Sequence, residues 1–544
     1  MCDLFEGQEG LKPELVFALV AATGTDLKKA NVCLLRALES QGYQVEEIRL
    51  SELISRFALD NDPVAEHEDE RIAQAMERGT KIREKLKAGD AVARLGIREI
   101  VERRKRPPSS TSGRNNGIAY VIRSLKLPQE VLCLRNLYKD SFHLISLYEP
   151  KALRLKRLVK EIESTRRPKL ALETINEAEQ WAKSAADIIS RDEGEKDRTL
   201  GQHLQDTFHL ADFFASVDGD GNHFSQQIER YVALLFGARF ITPTLDEVGS
   251  FSAQAAAHRS ADLSRQVGAV ITATNGNLIA IGYNDVPAAG GGHFVEGRDP
   301  ASMDHRDYTE ERDASAAAKH ELLSEVFDSL IAAGWLKDEY AALEAFELTN
   351  KALYEETQTA HRHPVLYGTR VTDLLEFGRI VHAEMSALMA AARKGQSVVG
   401  ATLYCTTFPC HMCARHILAA GISRVVYIEP YPKSQAKKLY RDSIVVDGSD
   451  DTDANAVRFE PFVGVAPRQY LRIFEKLERK DKQTGYAILS THRDDRPRFF
   501  ADRSVYAKTE NDCAASLEPL FRARAEILAD QKGPNASVAA DPLV

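Results

Sequence analysis

Two short strings constrain this chain more than anything else in it. His382-Ala383-Glu384 and Pro409-Cys410-His411-Met412-Cys413 are separated by twenty-four residues. Cysteines three apart at the start of a helix place both sulfurs on one face. A helix N-terminus favours their thiolate forms, as does a bound cation. Pro409, with its fixed φ, sets the angle at which the chain enters that helix. His382 opens another helix, so two helix N-termini must lie side by side if His382, Cys410 and Cys413 are to hold one ion. Three protein ligands leave a fourth position for water, which is the catalytic pattern for zinc, so Zn2+ is the expected cofactor. Zinc lowers the pKa of such a water to about 7. A Cys-x-x-Cys pair alone would serve equally as a zinc knuckle or a redox pair; the proline and the His-x-Glu argue against both. Glu384, two residues beyond the histidine, is expected to move protons, and His411 to point away from the metal.

This H-x-E and P-C-x-x-C arrangement matches the signature of zinc-dependent nucleobase deaminases. In that chemistry Glu384 takes a proton from the water, protonates ring N3 and delivers protons to the departing amine. The backbone N–H of Ala383 is expected to contact the ring carbonyl O2.

The charge balance narrows the substrate. With 80 acidic against 71 basic side chains the net charge is −9, whereas a protein that grips nucleic-acid polymers usually shows a basic excess or stripe. A small-molecule substrate is favoured, and a polynucleotide cytosine deaminase is the weaker alternative. No run of eighteen apolar residues exists, so no membrane span is expected. The N-terminus lacks the basic and then apolar layout of a signal peptide, which makes the cytoplasm the expected compartment. Seven cysteines in 544 residues make no disulfide framework. Cys2, Cys33, Cys133, Cys405 and Cys513 read as plain thiols.

The pattern along the chain is α/β. A buried-strand pattern at Leu15–Ala21, a helix period from Leu27 and a strand pattern at Tyr43–Leu50 predict a parallel sheet with crossover helices. Strand patterns return at Ile118–Arg123, His143–Tyr148 and Phe213–Val217. Residues 107–117 (PPSSTSGRNNG) and 239–250 read as a loop and a linker. These features predict a first domain over 1–240 and a second over 251–510. The second opens with a helix at 251–264 that leads to a hairpin around Asn275-Gly276-Asn277, carries an insertion over about 288–378, and continues with a helix at 382–394, a strand at 401–405, a helix at 411–420 and a strand at 424–428. Residues 511–544 read as a helix followed by a disordered tail. His361 and His363 in the insertion offer a second metal site, although a surface loop is the more economical reading.

The stretches Ser260-Ala261-Asp262-Leu263-Ser264-Arg265-Gln266-Val267-Gly268-Ala269 and Gly282-Tyr283-Asn284-Asp285-Val286-Pro287 resemble the opening of the deoxycytidylate deaminase family. The resemblance implies a cytidine-deaminase-like three-layer α/β/α domain in which Asn284 hydrogen-bonds the deoxyribose 3′-hydroxyl; an ordinary turn residue is the competing reading. Arg265 is a candidate phosphate ligand by charge and position. So are Tyr427, Tyr431, Lys433, Ser434 and Lys438, which follow the last core strand; a solvated basic helix start is the alternative. The first domain resembles a P-loop nucleotide kinase, in its βα opening, its Leu-Pro-Gln-Glu-Val stretch at 127–131 and its Arg191-Asp192 stretch. Gly24, Thr25 and Lys28 stand in a degenerate phosphate loop without Gly-Lys-Ser/Thr. The whole arrangement is similar to the bacterial anti-phage dCTP deaminases (the AvcD/DcdV type), a P-loop kinase-like domain fused to a dCMP/dCTP deaminase domain. That similarity implies conversion of dCTP, and often dCMP, to dUTP and dUMP, depletion of dCTP in defence against phage, a regulatory nucleotide or RNA at the first domain, and a homo-oligomer. An ordinary dCMP deaminase of pyrimidine salvage with a nucleotide-sensing domain is the alternative.

Overall fold

The computed structural model describes residues 12–105, 117–166, 175–195, 198–217, 222–357, 363–374, 377–431, 433–446, 456–488 and 496–532. Of the predicted loop at 107–117, all but Gly117, which opens a strand, lies outside the described residues, as do the tail beyond 532 and His361. The chain forms two compact units, residues 1–247 with 463–544, and residues 248–462. No described helix is long and apolar enough to cross a membrane.

In the first unit the strands are β1 (Leu15–Ala21), β2 (Tyr43–Arg49), β3 (Gly117–Arg123), β4 (Phe142–Tyr148) and β5 (Phe213–Ser216). They lie parallel in the order β5-β4-β1-β3-β2. Every residue of β1 is buried, which explains its unbroken apolar sequence: a parallel sheet is covered on both faces. Alternation along the strand splits β1 between two cores. Val16, Ala18 and Val20 join Leu95, Ile97 and Leu134 on one face, while Leu15, Phe17 and Leu19 join Leu34 and Ile228 on the other.

The second unit contains β6 (Gly268–Thr272), β7 (Leu278–Tyr283), β8 (Thr402–Thr407), β9 (Arg424–Glu429), β10 (Ile444–Val446) and β11 (Val457–Pro461). Their order is β10-β11-β9-β8-β6-β7. The four strands from β8 to β11 are mutually parallel, and the β6–β7 hairpin is antiparallel. The hairpin turns at Gly276, whose φ of 86° suits glycine. A Cβ on Gly268 would meet the helix Leu245–Ala257 at Ala253 O, and one on Gly282 would meet the helix Ala383–Arg393 at Ala383 O. Gly268 pairs with Tyr283 and Gly282 with Ala269, so the two glycines face opposite sides of the sheet. Helices therefore cover both faces.

The longest elements described in the insertion are the helices Ala314–Ala332 and Ala345–Tyr354. Its ends meet in a bridge between Asp285 and Val381, whose backbone bonds measure 3.3 and 3.0 Å. The end of β7 and His382 are consequently neighbours in space although about a hundred residues apart in sequence.

One boundary differs from the sequence expectation. The second domain was expected to run to 510, but from residue 463 the chain belongs to the first unit. A short strand, β12 (Gly464–Val465), pairs antiparallel with β5. The helix Arg503–Ala515 then packs Tyr506 edge-on against Tyr138 at 5.2 Å. Its Glu510 accepts hydrogen bonds from the Tyr138 hydroxyl at 2.7 Å and from Arg104.

Candidate active site

Two helix starts in the second unit bring the ligating side chains together. His382 is the N-cap of the helix Ala383–Arg393, and Cys410 is the N-cap of the helix His411–Ala419. The imidazole Nδ1 of His382 lies 3.3 Å from Cys410 Sγ and 3.4 Å from Cys413 Sγ. All three ligand atoms fall within 4.8 Å of one another, and this is the only group of three or more ligating side chains so placed among the described residues. A tetrahedral zinc with Zn–N of about 2.05 Å and Zn–S of about 2.3 Å requires N···S separations of about 3.6 Å. The cluster thus needs only small adjustments to hold Zn2+, and Cys405, the other cysteine of this unit, is not part of it.

The cluster is also prepared electrostatically. Hydrogen bonds from Cys413 and His382 hold the Cys410 thiol down at about 4, and the Cys410 hydrogen bond holds His382 up at about 9. Cys410 Sγ further accepts the Cys413 N–H at 3.4 Å, in the manner of a helix cap. A pre-formed thiolate at a helix N-terminus is the form that a zinc ion takes.

Glu384 sits in the first turn beside His382 and is 4% exposed. Burial, and then the negative charge of Cys410, hold its carboxyl above the usual carboxylate range. The Cys413 thiol and the Cys405 thiol of β8 lie close enough to act on it. Cys405 has no motif around it, and only the strand register brings it under the helix. Ala383 is fully buried in the first helical position, where backbone N–H groups have no partner within the helix. What holds this turn against the sheet is Gly282: a Cβ there would stand 2.2 Å from Ala383 O and 2.3 Å from Ala387 N.

Asn284 is 5% exposed and heavily engaged. Its Oδ1 accepts from Val267 N at 2.7 Å, and its Nδ2 donates to Asp262 Oδ2 and Arg265 O, each at 2.7 Å. It staples the 260–267 segment to the end of β7 and keeps one oxygen lone pair. Asp262, quoted in the sequence but given no role there, is close enough to the cluster to act on His382 through its charge. The Arg265 guanidinium is half-exposed and ion-paired with Glu429. Ser434 donates to Pro409 O at 2.8 Å, tying the loop after β9 to the cysteine turn. Lys438 is exposed on the short helix Ala436–Leu439, and Lys433 pairs with Asp373. Tyr431 is partly buried near Cys410 and Arg265. Tyr427 is a correction: it lies within β9, 6% exposed, its ring edge-on to Phe408 at 4.9 Å. Strand alternation turns it into the core.

In the first unit, Gly24 and Thr25 lie in the turn after β1, and Lys28 lies in the first turn of the helix Leu27–Glu39 that follows. Gly24 has a φ of 87°, and a Cβ there would meet Arg154 O at 2.7 Å. Two amides of this turn are already held by carboxylates: Thr23 N donates to Asp192 Oδ2 at 2.7 Å and Asp26 N to Glu149 Oε2 at 3.1 Å. The loop expected to cradle phosphate is held by the protein's own carboxylates.

A buried carboxyl beside a His-Cys-Cys cluster at two helix N-termini defines a deaminase site with a zinc-binding region. Residues 245–429 match the family model for the cytidine and deoxycytidylate deaminase zinc-binding region. The deoxycytidylate deaminase of Enterobacteria phage T4 is 30% identical over 182 residues, covering 32% of this chain and 71% of the relative. That of Enterobacteria phage T2 is 34% identical over 125 residues, covering 21% of this chain and 66% of the relative. The chain belongs to the deoxycytidylate deaminase family. Among solved structures, the dCMP deaminase from the cyanophage S-TIM5 is similar at 16% identity and a TM-score of 0.21, over 41% of this chain and all of that one.

Proposed function

We propose that this chain hydrolytically deaminates deoxycytidine nucleotides, dCTP and dCMP, to dUTP and dUMP, with His382, Cys410 and Cys413 holding zinc and Glu384 carrying the protons. The observation that carries this reading is the buried Glu384 carboxyl in the first helical turn beside the His382, Cys410 and Cys413 cluster. Bound zinc supplies Lewis-acid activation of water at neutral pH. Glu384 accepts a proton from the attacking water, passes it to ring N3, and returns a proton to the amino group so that it leaves C4 as ammonia. Burial suits this shuttle, because it raises the carboxyl above the ordinary carboxylate range and so makes it a better proton acceptor. Ala383 N–H meets the ring O2, and the free lone pair of Asn284 Oδ1 receives the deoxyribose 3′-hydroxyl. Phosphate recruits Arg265 from Glu429, with Ser434 and Lys438 on the neighbouring loop.

The wider setting follows the resemblance. The enzyme acts in the cytoplasm as a homo-oligomer, lowering the dCTP pool against phage replication. The first unit is a degenerate P-loop kinase-like domain that takes a regulatory nucleotide or RNA, and its five-stranded parallel sheet with a turn after the first strand supports that reading. The test is product analysis after incubation with dCMP, dCTP, CMP and a cytosine-containing single-stranded oligonucleotide. Turnover of dCTP and dCMP is expected. Turnover of dCMP alone favours the salvage reading, and turnover of the oligonucleotide alone overturns both.

A further inference from the structure

The first unit contains a cavity of about 290 Å³ at the carboxyl ends of β1, β2 and β3. This is where open α/β sheets receive ligands, and the volume is at the small end of ligand pockets, about 300–1,000 Å³. Leu50, Ile54, Ile72, Met76 and Leu158 give it apolar walls. Two polar groups in the lining stand out. Thr25 is 8% exposed, and its Oγ1 is buried without a hydrogen-bond partner. A buried hydroxyl is normally satisfied by a hydrogen-bond partner. Lys28 is exposed at the rim and makes no ion pair among the described residues. The other cations of the wall are committed: Arg71 to Glu68, Arg83 to Glu130, Arg123 to Glu47, Lys126 to Asp192 and Arg157 to Glu149.

The closed turn limits what can occupy this cavity. A polyphosphate needs the amides of the turn after β1, but Asp192 and Glu149 sit on Thr23 N and Asp26 N. Bringing a second anion there sets like charges against each other. A flat heteroaromatic ring between apolar walls, a sugar or ring polar atom against the Thr25 hydroxyl and one phosphate at Lys28 meet no such obstacle.

We infer that this cavity is a binding site for a nucleoside or nucleoside monophosphate, held by Thr25 and Lys28, in a unit that does not transfer phosphate. The inference deepens the proposal that the first unit takes a regulatory nucleotide, and it specifies which class. The full-length, zinc-loaded chain is titrated calorimetrically with dAMP, dTMP, their nucleosides and their triphosphates. Saturable binding of at least one monophosphate is expected, weaker for its triphosphate. Thr25→Val, nearly isosteric, weakens it about 3- to 10-fold, the worth of one hydrogen bond. Lys28→Ala weakens the monophosphate and leaves the nucleoside unchanged. Ala75→Phe, which projects a ring from the cavity wall, abolishes both. Absence of saturable binding for both monophosphates, tighter binding of triphosphates, or binding that Thr25→Val and Ala75→Phe leave unaltered overturns the inference. Deamination of dCMP followed in the same samples separates the two proposals: lost deamination with intact binding counts against the active-site reading alone.

Discussion

The contact between Gly282 and the helix Ala383–Arg393 makes a strong prediction, because one methyl group placed there should disturb the whole catalytic turn. In Gly282→Ala the new Cβ would lie 2.2 Å from Ala383 O and 2.3 Å from Ala387 N. Both are backbone atoms, which no side-chain rotation can clear. Restoring an ordinary contact of about 3.5 Å forces the helix back by about 1 Å. Overpacking of this kind costs about 1–3 kcal/mol. For a unit of roughly 200 residues that corresponds to a fall in melting temperature of about 2–12 °C. The functional effect should be larger than the thermal one. His382, Ala383 and Glu384 ride on the displaced turn, and a misplacement of about 1 Å costs on the order of 10²-fold in rate. Calorimetry on the full chain, zinc analysis and ammonia release from dCMP read the three effects separately. A Gly282→Ala protein with unchanged melting and unchanged turnover would refute the claim that this glycine sets the position of the site.

Two further predictions concern the first unit. Arg83 and Glu130 are almost completely buried and paired at 2.7 Å. Glu130→Ala strands the guanidinium and should cost about 3–5 kcal/mol in urea denaturation, and a loss below about 1 kcal/mol would contradict the pairing. His143 is buried against Phe17 and Tyr231, and burial pushes its imidazole down from 6.5 to about 4. Between those values the unfolded chain binds a proton that the folded chain refuses, so stability falls as pH drops. From pH 7 to pH 5 the loss from this one group is about 2 kcal/mol. Comparison with His143→Phe over that window isolates it, and equal pH slopes in the two proteins would exclude it.

Where a residue's neighbours in sequence are also its neighbours in space, the sequence was readable. The unbroken apolar run of β1, the Asn-Gly turn of the β6–β7 hairpin and the two helix starts with His382 and Cys410 are local patterns. The closeness of Cys405 to Glu384 is not local, because it depends on β8 lying under a helix some twenty residues earlier. Tyr427 was misplaced for a related reason: at the end of a strand, a slip of one residue in register exchanges the core face for the ligand face. The return of the chain to the first unit after residue 462 had no readable sign. The strand that makes it is only Gly464–Val465, too short for any periodicity. Nor does composition reveal that Asp192 and Glu149 close the turn after β1, since a carboxylate more than a hundred residues away leaves no trace in the loop's own sequence.

The central claim is that Glu384 moves protons at a zinc site it does not help to hold. Its most direct test is Glu384→Ala, with bound zinc measured by elemental analysis and ammonia release measured on dCMP and dCTP in the same preparation. The account predicts zinc at the wild-type level and turnover reduced at least about 10²-fold. Turnover that persists with zinc bound, or zinc that is lost along with the carboxyl, would contradict it.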